Sequence, residues 1–187
     1  MRRIAIIGSA GAGKSTLARE LGVLLGLPVI HLDRLFWRPG WVETPREEWV
    51  RVQTEAVRGE RWVIDGNYGS TLELRLGVAD TIIFLDFPRL VCLWRVLKRR
   101  RQYAGRTRPD LGPGCPERID WEFLRWVWRF PLDERPGVLA KLAGLSPDKR
   151  VIRLASPAAV ARFLDDLRRE GPGATGAGAL ASPPRAG

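Results

Sequence analysis

Short apolar runs alternate along this chain with longer amphipathic stretches. The runs at Arg3–Gly8, 28–32, Trp62–Asp65, 81–86 and Arg150–Leu154 are rich in β-branched and aliphatic residues, and several end in Gly or Asp. Such short, almost continuous apolar runs predict strands buried on both faces. Between them, apolar positions recur at helical spacing over Lys14–Leu25, 46–57, 71–76, 90–102, 119–130 and Pro157–Glu170. Pro157 follows Ser156, a suitable N-cap, and stands where a first helical turn accepts proline. Strand and helix in alternation predict an α/β fold, a parallel sheet with helices on both faces. The pattern stops at Glu170. Residues 171–187, GPGATGAGALASPPRAG, have no apolar periodicity and are expected to be a disordered tail.

The chain has 187 residues, enough for one domain with a substantial core, which we place at 1–170. No apolar run approaches the roughly 20 residues that cross a bilayer, and the four apolar residues before Gly8 are too few for a secretory signal core. Cys92 and Cys115 alone make neither a disulfide framework nor a four-ligand zinc site. A cytoplasmic, reducing setting without membrane partners is the expectation. The net charge is +10, with 27 arginines against four lysines. Such a surface suits phosphorylated ligands, nucleic acid or anionic membranes, or reflects a GC-rich or heat-adapted source. Its distribution is more telling: seven basic residues and no acid lie between Arg95 and Arg108.

The chemistry begins where the first strand ends. Gly8-Ser9-Ala10-Gly11-Ala12-Gly13-Lys14-Ser15, followed by Thr16, fits G-x-x-x-x-G-K-[ST] between an apolar strand and a helical pattern. Glycines let the loop wrap so that its N–H groups point at a β-phosphate, and the next helix adds its positive end. Lys14, expected to face solvent, would reach the β- and γ-phosphates, and the Ser15 hydroxyl would ligate magnesium. A dinucleotide G-x-G-x-x-G fails, because position 16 is Thr and Lys14 occupies the turn. No Asn-Lys-x-Asp segment for reading guanine is present.

Phosphate chemistry also calls for a carboxylate at a neighbouring strand end, and both Asp65 and Asp86 close apolar runs there. Asp33, at the end of the second run, either orients and deprotonates an acceptor hydroxyl or caps the next turn or pairs with Arg34 or Arg38. His31, the single histidine, reads as a strand-end packing residue. Arg99, Arg100 and Arg101 are consecutive and point several ways around a helix. Arg106 and Arg108, in Gly105-Arg106-Thr107-Arg108-Pro109, sit in a turn that can swing both over a phosphate. Of the eight tryptophans, Trp121, Trp126 and Trp128 cluster with Phe123 and Phe130. They read either as a stacking platform for nucleic acid or as an amphipathic helix, since 123, 126, 127 and 130 recur at helical spacing. Trp37 and Trp41 are candidates for an acceptor-pocket wall.

Together GSAGAGKST at 8–16, HLDRLFWRPGW at 31–41, WVIDGNY at 62–68, TIIFLDFPR at 81–89, KRRRQYAGRTRPD at 98–110 and DWEFLRWVWRFP at 120–131 resemble the nucleoside-monophosphate-kinase-like branch of P-loop proteins. Within that branch the chain is most similar to the adenylate-kinase-related group labelled DNA topology modulation proteins. The resemblance implies a three-layer P-loop NTPase fold with strand order 2-3-1-4-5, an acceptor-binding insertion at 33–60 and a helical lid at 99–135. It implies ATP and Mg2+, with 8–16 as the phosphate loop, Asp65 organising the metal, and Arg106 and Arg108 as a lid turn like that of shikimate-type kinases. Asn67-Tyr68-Gly69 departs from the family's Phe-Pro-Arg, so the arginine that grips a monophosphate is missing, with Arg34, Arg38 and Arg75 as possible replacements. The expected activity is transfer of the γ-phosphoryl group of ATP to a nucleotide or other small-molecule acceptor. The alternative is a nucleotide-regulated, nucleic-acid-associated protein, supported by charge and group label alone.

Overall fold

The computed structural model describes residues 1–170; the tail expected at 171–187 lies outside them. Strand β1 (Arg3–Gly8) is the centre of the molecule, with Ile4, Ala5, Ile6 and Ile7 all inaccessible to solvent. It pairs in parallel with β5 (Trp62–Asp65) on one side and β6 (Thr81–Leu85) on the other. Strand β2 (Val29–His31) adds beyond β5, and β7 (Arg150–Leu154) adds beyond β6. The sheet order β2-β5-β1-β6-β7 is therefore 2-3-1-4-5 in the five runs read from the sequence. The numbering differs because a small antiparallel ribbon, β3 (Trp37–Arg38) and β4 (Val42–Glu43), intervenes.

Alternation along β1 divides the core into two layers. Ile4 and Ile6 pack with Leu17 and Leu21 of α1 (Lys14–Leu25), Cys92 and Val96 of α5 (Arg89–Gln102), and Leu164 and Leu167 of α8 (Pro157–Glu170). Ala5 and Ile7 face the other way, toward Leu32 of α2 (Leu32–Phe36), Trp49 of α3 (Arg46–Ala56) and Leu72 and Leu76 of α4 (Leu72–Val78). Helix α6 (Trp121–Asp133) joins both layers, with Val127 in the first and Phe130 in the second. Its inner face carries Trp126, stacked on Phe123 and edge-on to Phe130, while Trp121 and Trp128 are exposed. This is the amphipathic-helix reading of the tryptophan cluster.

Three elements were not expected from the pattern: α2, the ribbon and α7 (Arg135–Ala143). Arg135-Pro136-Gly137 looks like a helix breaker, but the proline falls in the first turn of α7, where a missing N–H costs nothing. The expected helix at 71–76 is a 3-10 turn (Gly69–Thr71) leading into α4. No helix among the described residues is long and apolar enough to cross a membrane.

One buried cation fixes the chain after β5. Arg75 is 1% exposed and donates to the side chain of Gln53, to the carbonyl of Gly66 at 3.3 Å and to that of Asn67 at 3.1 Å. Burial lowers its pKa to about 10. Arg75→Leu leaves those three acceptors without a donor, so we expect a loss of about 3 kcal/mol, or roughly 6–12 °C in Tm. Thermal unfolding checks this; an unchanged Tm would show that Arg75 does not hold the turn.

Candidate active site

The chain leaves β1 at Gly8 with φ +143, where a Cβ would sit 2.5 Å from the Leu85 carbonyl oxygen. At Gly11, φ is +77 and a Cβ would meet the Cys92 carbonyl oxygen at 2.3 Å. Only glycine fits either place, so the loop can wrap tightly against β6 and α5 before α1 begins. Ala10, Gly11, Ala12, Gly13, Lys14, Ser15 and Thr16 line a cavity of about 880 Å³. Gly8 and Ser9 contribute from beneath: Lys14 Nζ donates to both of their carbonyl oxygens at 3.0 Å. Lys14 is thus folded back and half-buried rather than solvent-facing, and burial lowers its pKa.

Strand register brings the carboxylate in. Asp65 stands opposite Ile6 of β1 and opposite His31 of β2. The Ser15 hydroxyl donates to Asp65 Oδ2 at 2.7 Å, and His31 Nδ1 lies 2.5 Å from Asp65 Oδ1. His31 is therefore a partner of Asp65, not the packing residue expected. By giving its proton to Asp65, Ser15 keeps its lone pairs for a cation, and hydroxyl plus carboxylate are hard oxygen donors of the kind Mg2+ takes. The residues fit that metal through one protein carboxylate. No group of three or more His, Cys, Asp or Glu able to hold a metal by itself occurs among the described residues. Asp86, the other candidate, is held by Arg135 at 2.8 Å and by Arg153 at 2.6 Å, and does not line the cavity.

Asp33 lines the cavity from the first turn of α2. The N-cap is His31, and Arg38 pairs with Glu48 at 2.5 Å, so Asp33 is neither cap nor partner of Arg38. It accepts instead from the Tyr68 hydroxyl at 2.7 Å. Burial first, then the charge and hydrogen bond of Asp33, push the Tyr68 pKa far above the usual phenol range, so Tyr68 remains a donor. Asp33 and Asp65 are both near enough for their charges to act on Lys14. Trp37 and Trp41 wall this end, with ring centroids 5.2 Å apart. None of Arg34, Arg38 and Arg75 lines the cavity.

The basic stretch does not divide as the sequence suggested. Arg106 is exposed and outside the cavity, whereas Arg95, Arg99 and Arg108 line it. Arg95, one helical turn before Arg99, donates to the Ala12 carbonyl at 3.1 Å. Arg99 Nε donates to Glu117 Oε1 at 2.9 Å; Arg108 donates to Asp110 at 3.1 Å and lies 2.7 Å from Glu117. Residues 106 and 108 differ in their partners: Asp110 and Glu117 pair with Arg108, and no ion pair holds Arg106 among the described residues. Burial favours the neutral form of Asp110, but Arg108, Ser15 and His31 outweigh it and hold its pKa below the usual carboxylate value. Asp110 and Glu117 are the first acids after the basic run, and that position was the available signal for them.

No known family and no curated protein matches the chain. Among solved structures it is similar to the shikimate kinase from Acinetobacter baumannii in complex with shikimate. The two share 16% identity and a TM-score of 0.56, over 90% of this chain and 92% of that one. A putative kinase from Chloroflexus aurantiacus matches at 17% identity and a TM-score of 0.51, over 90% of this chain and 98% of the other. These likenesses show the fold: a P-loop kinase-like α/β architecture.

If Gly8–Ser15 holds phosphates, Lys14→Ala will keep the native circular dichroism spectrum and lose at least about tenfold in ATP affinity. Calorimetric titration measures it, and unchanged affinity would count against the loop.

Proposed function

We propose that this protein is a P-loop kinase that transfers the γ-phosphoryl group of ATP to a hydroxyl of a small-molecule acceptor. The observation that carries the reading is one cavity lined by Asp33, Lys14 and Ser15, with Asp65 bonded to Ser15. The fold shared with solved kinases is consistent with it. The triphosphate lies on the N–H groups of the loop, and Lys14 exchanges the Gly8 and Ser9 carbonyls for phosphate oxygens. Ser15 and Asp65 would hold Mg2+, which neutralises charge on the β- and γ-oxygens when bound. His31 keeps Asp65 oriented through its second oxygen. Asp33 accepts the proton of the acceptor hydroxyl, whose oxygen bonds to the γ-phosphorus as the bond to the β-bridging oxygen breaks and ADP leaves. Arg99 and Arg108 supply positive charge to the equatorial oxygens.

The finer likeness to adenylate kinases and to the group labelled DNA topology modulation proteins rests on sequence motifs alone. Nucleic-acid association rests on the +10 charge, and nothing at the site favours it.

Asp33→Asn should lower kcat by about 10²–10⁴-fold while leaving ATP affinity unchanged, because it removes the proton acceptor and not a phosphate contact. Labelled ATP and an unbiased acceptor mixture give the assay; turnover equal to wild type would exclude Asp33 as base. In the same assay Arg108→Ala should cost at least about tenfold, and Arg106→Ala should be indistinguishable from wild type. The reverse ranking would put the phosphoryl group at the outer turn.

A further inference from the structure

Charge is distributed unevenly along the cavity. The nucleotide end carries Lys14, Arg95, Arg99 and Arg108. The acceptor end, around Tyr68, carries Asp33 and Glu134; Glu134 Oε2 lies 3.7 Å from where a Cβ on Gly69 would be. Neither acid pairs with a basic side chain among the described residues. The Tyr68 hydroxyl is spent on Asp33 Oδ1. Asn67, in the same wall, has its Oδ1 buried without any hydrogen-bond partner. Of the arginines nearest in sequence, Arg34 is exposed and does not line the cavity, Arg38 pairs with Glu48, Arg135 with Asp86, and Arg75 lies within the buried turn after β5. Arg118 lines the cavity but is exposed, with its guanidinium 5.0 Å above the Trp41 ring.

This end of the cavity therefore offers hydrogen-bond acceptors between aromatic walls. A phosphate or carboxylate is itself all acceptor, so it would face Asp33 and Glu134, while the cavity's cations are already held, Lys14 and Arg95 by loop carbonyls and Arg99 and Arg108 by Glu117 and Asp110. Hydroxyls and ammonium groups are the donors these atoms lack, and the flat faces of Trp37 and Trp41 suit the apolar face of a saturated ring. We infer that the acceptor is a polyol or amino polyol without an anionic group, recognised by Asp33, Asn67 and Glu134. The inference rests on the kinase reading above and names its substrate class. It separates this chain from any kinase whose acceptor is held by its own negative charge.

The test is thermal shift of the full chain with a non-hydrolysable ATP analogue and magnesium, then with one added probe: glucose, myo-inositol, glucosamine, gluconate, shikimate or AMP. The analogue alone must raise Tm; if it does not, the kinase reading fails. Given that rise, a further rise with glucose, myo-inositol or glucosamine, and none with the three anions, is the expected result. A further rise with gluconate, shikimate or AMP only, or with none of the six, overturns the acceptor class and leaves the nucleotide site standing. Glu134→Gln provides a second readout. It should weaken a bound amino polyol at least about tenfold while a neutral polyol loses less, since only the amine forms a charge-assisted bond. Equal losses for both would show that Glu134 acts on the structure rather than on the ligand. That too would overturn its recognition role.

Discussion

The parallel pairing of β1 with β5 is the constraint from which the rest of the site follows. It sets Ile6 against Asp65, and so places a strand-end carboxylate beside the point where β1 gives way to the glycine loop. A one-residue slip would send Asp65 to the opposite face of the sheet and break its contact with Ser15. The slip is forbidden by burial on both sides, because all four residues of β5 and five of the six in β1 are enclosed. Hydrophobic packing thus fixes a polar geometry that no local interaction could hold in place by itself.

A second level of order is ionic. Arg99, in the last turn of α5, and Arg108, in the segment beyond it, line the cavity, and each brings its own counterion, Glu117 or Asp110. Four charged groups close together in a half-enclosed cavity are tolerable only because they are paired. On the kinase reading proposed above, a phosphate there would compete with carboxylates already present. Its binding strength would follow the difference between two sets of ion pairs.

Much of this was legible in the residues. The loop could be read because glycine and lysine at fixed spacing have few other uses, and Asp65 because an apolar run that ends in Asp at a strand edge has a defined place. The sheet order followed from a resemblance, and the short strands found their partners as expected. Side-chain partnerships were less accessible. His31 and Asp65 are 34 residues apart and meet only through register. Arg106 and Arg108 looked equivalent, and the ion pairs to Asp110 and Glu117 that hold Arg108 alone are invisible to local pattern. Lys14 looked exposed because a loop lysine ordinarily is, yet the backbone carbonyls beneath it provide a resting place. Helix α7 was lost to a Pro-Gly pair whose meaning depends on where the helix begins.

The ribbon and the segment following the basic stretch are fastened edge to edge. Gly40 N–H donates to the Gly114 carbonyl at 2.9 Å, the Trp41 indole to Pro116 at 2.9 Å, and the Cys115 thiol to the Arg38 carbonyl at 3.2 Å. Gly114 has no room for a side chain, since a Cβ would fall 2.9 Å from Pro39. The cavity wall formed by Trp37 and Trp41 and the arm that carries Arg108 are consequently one mechanical body. A change in one alters the fit of the other, so on the proposed reading acceptor selectivity and transfer rate would be inherited together.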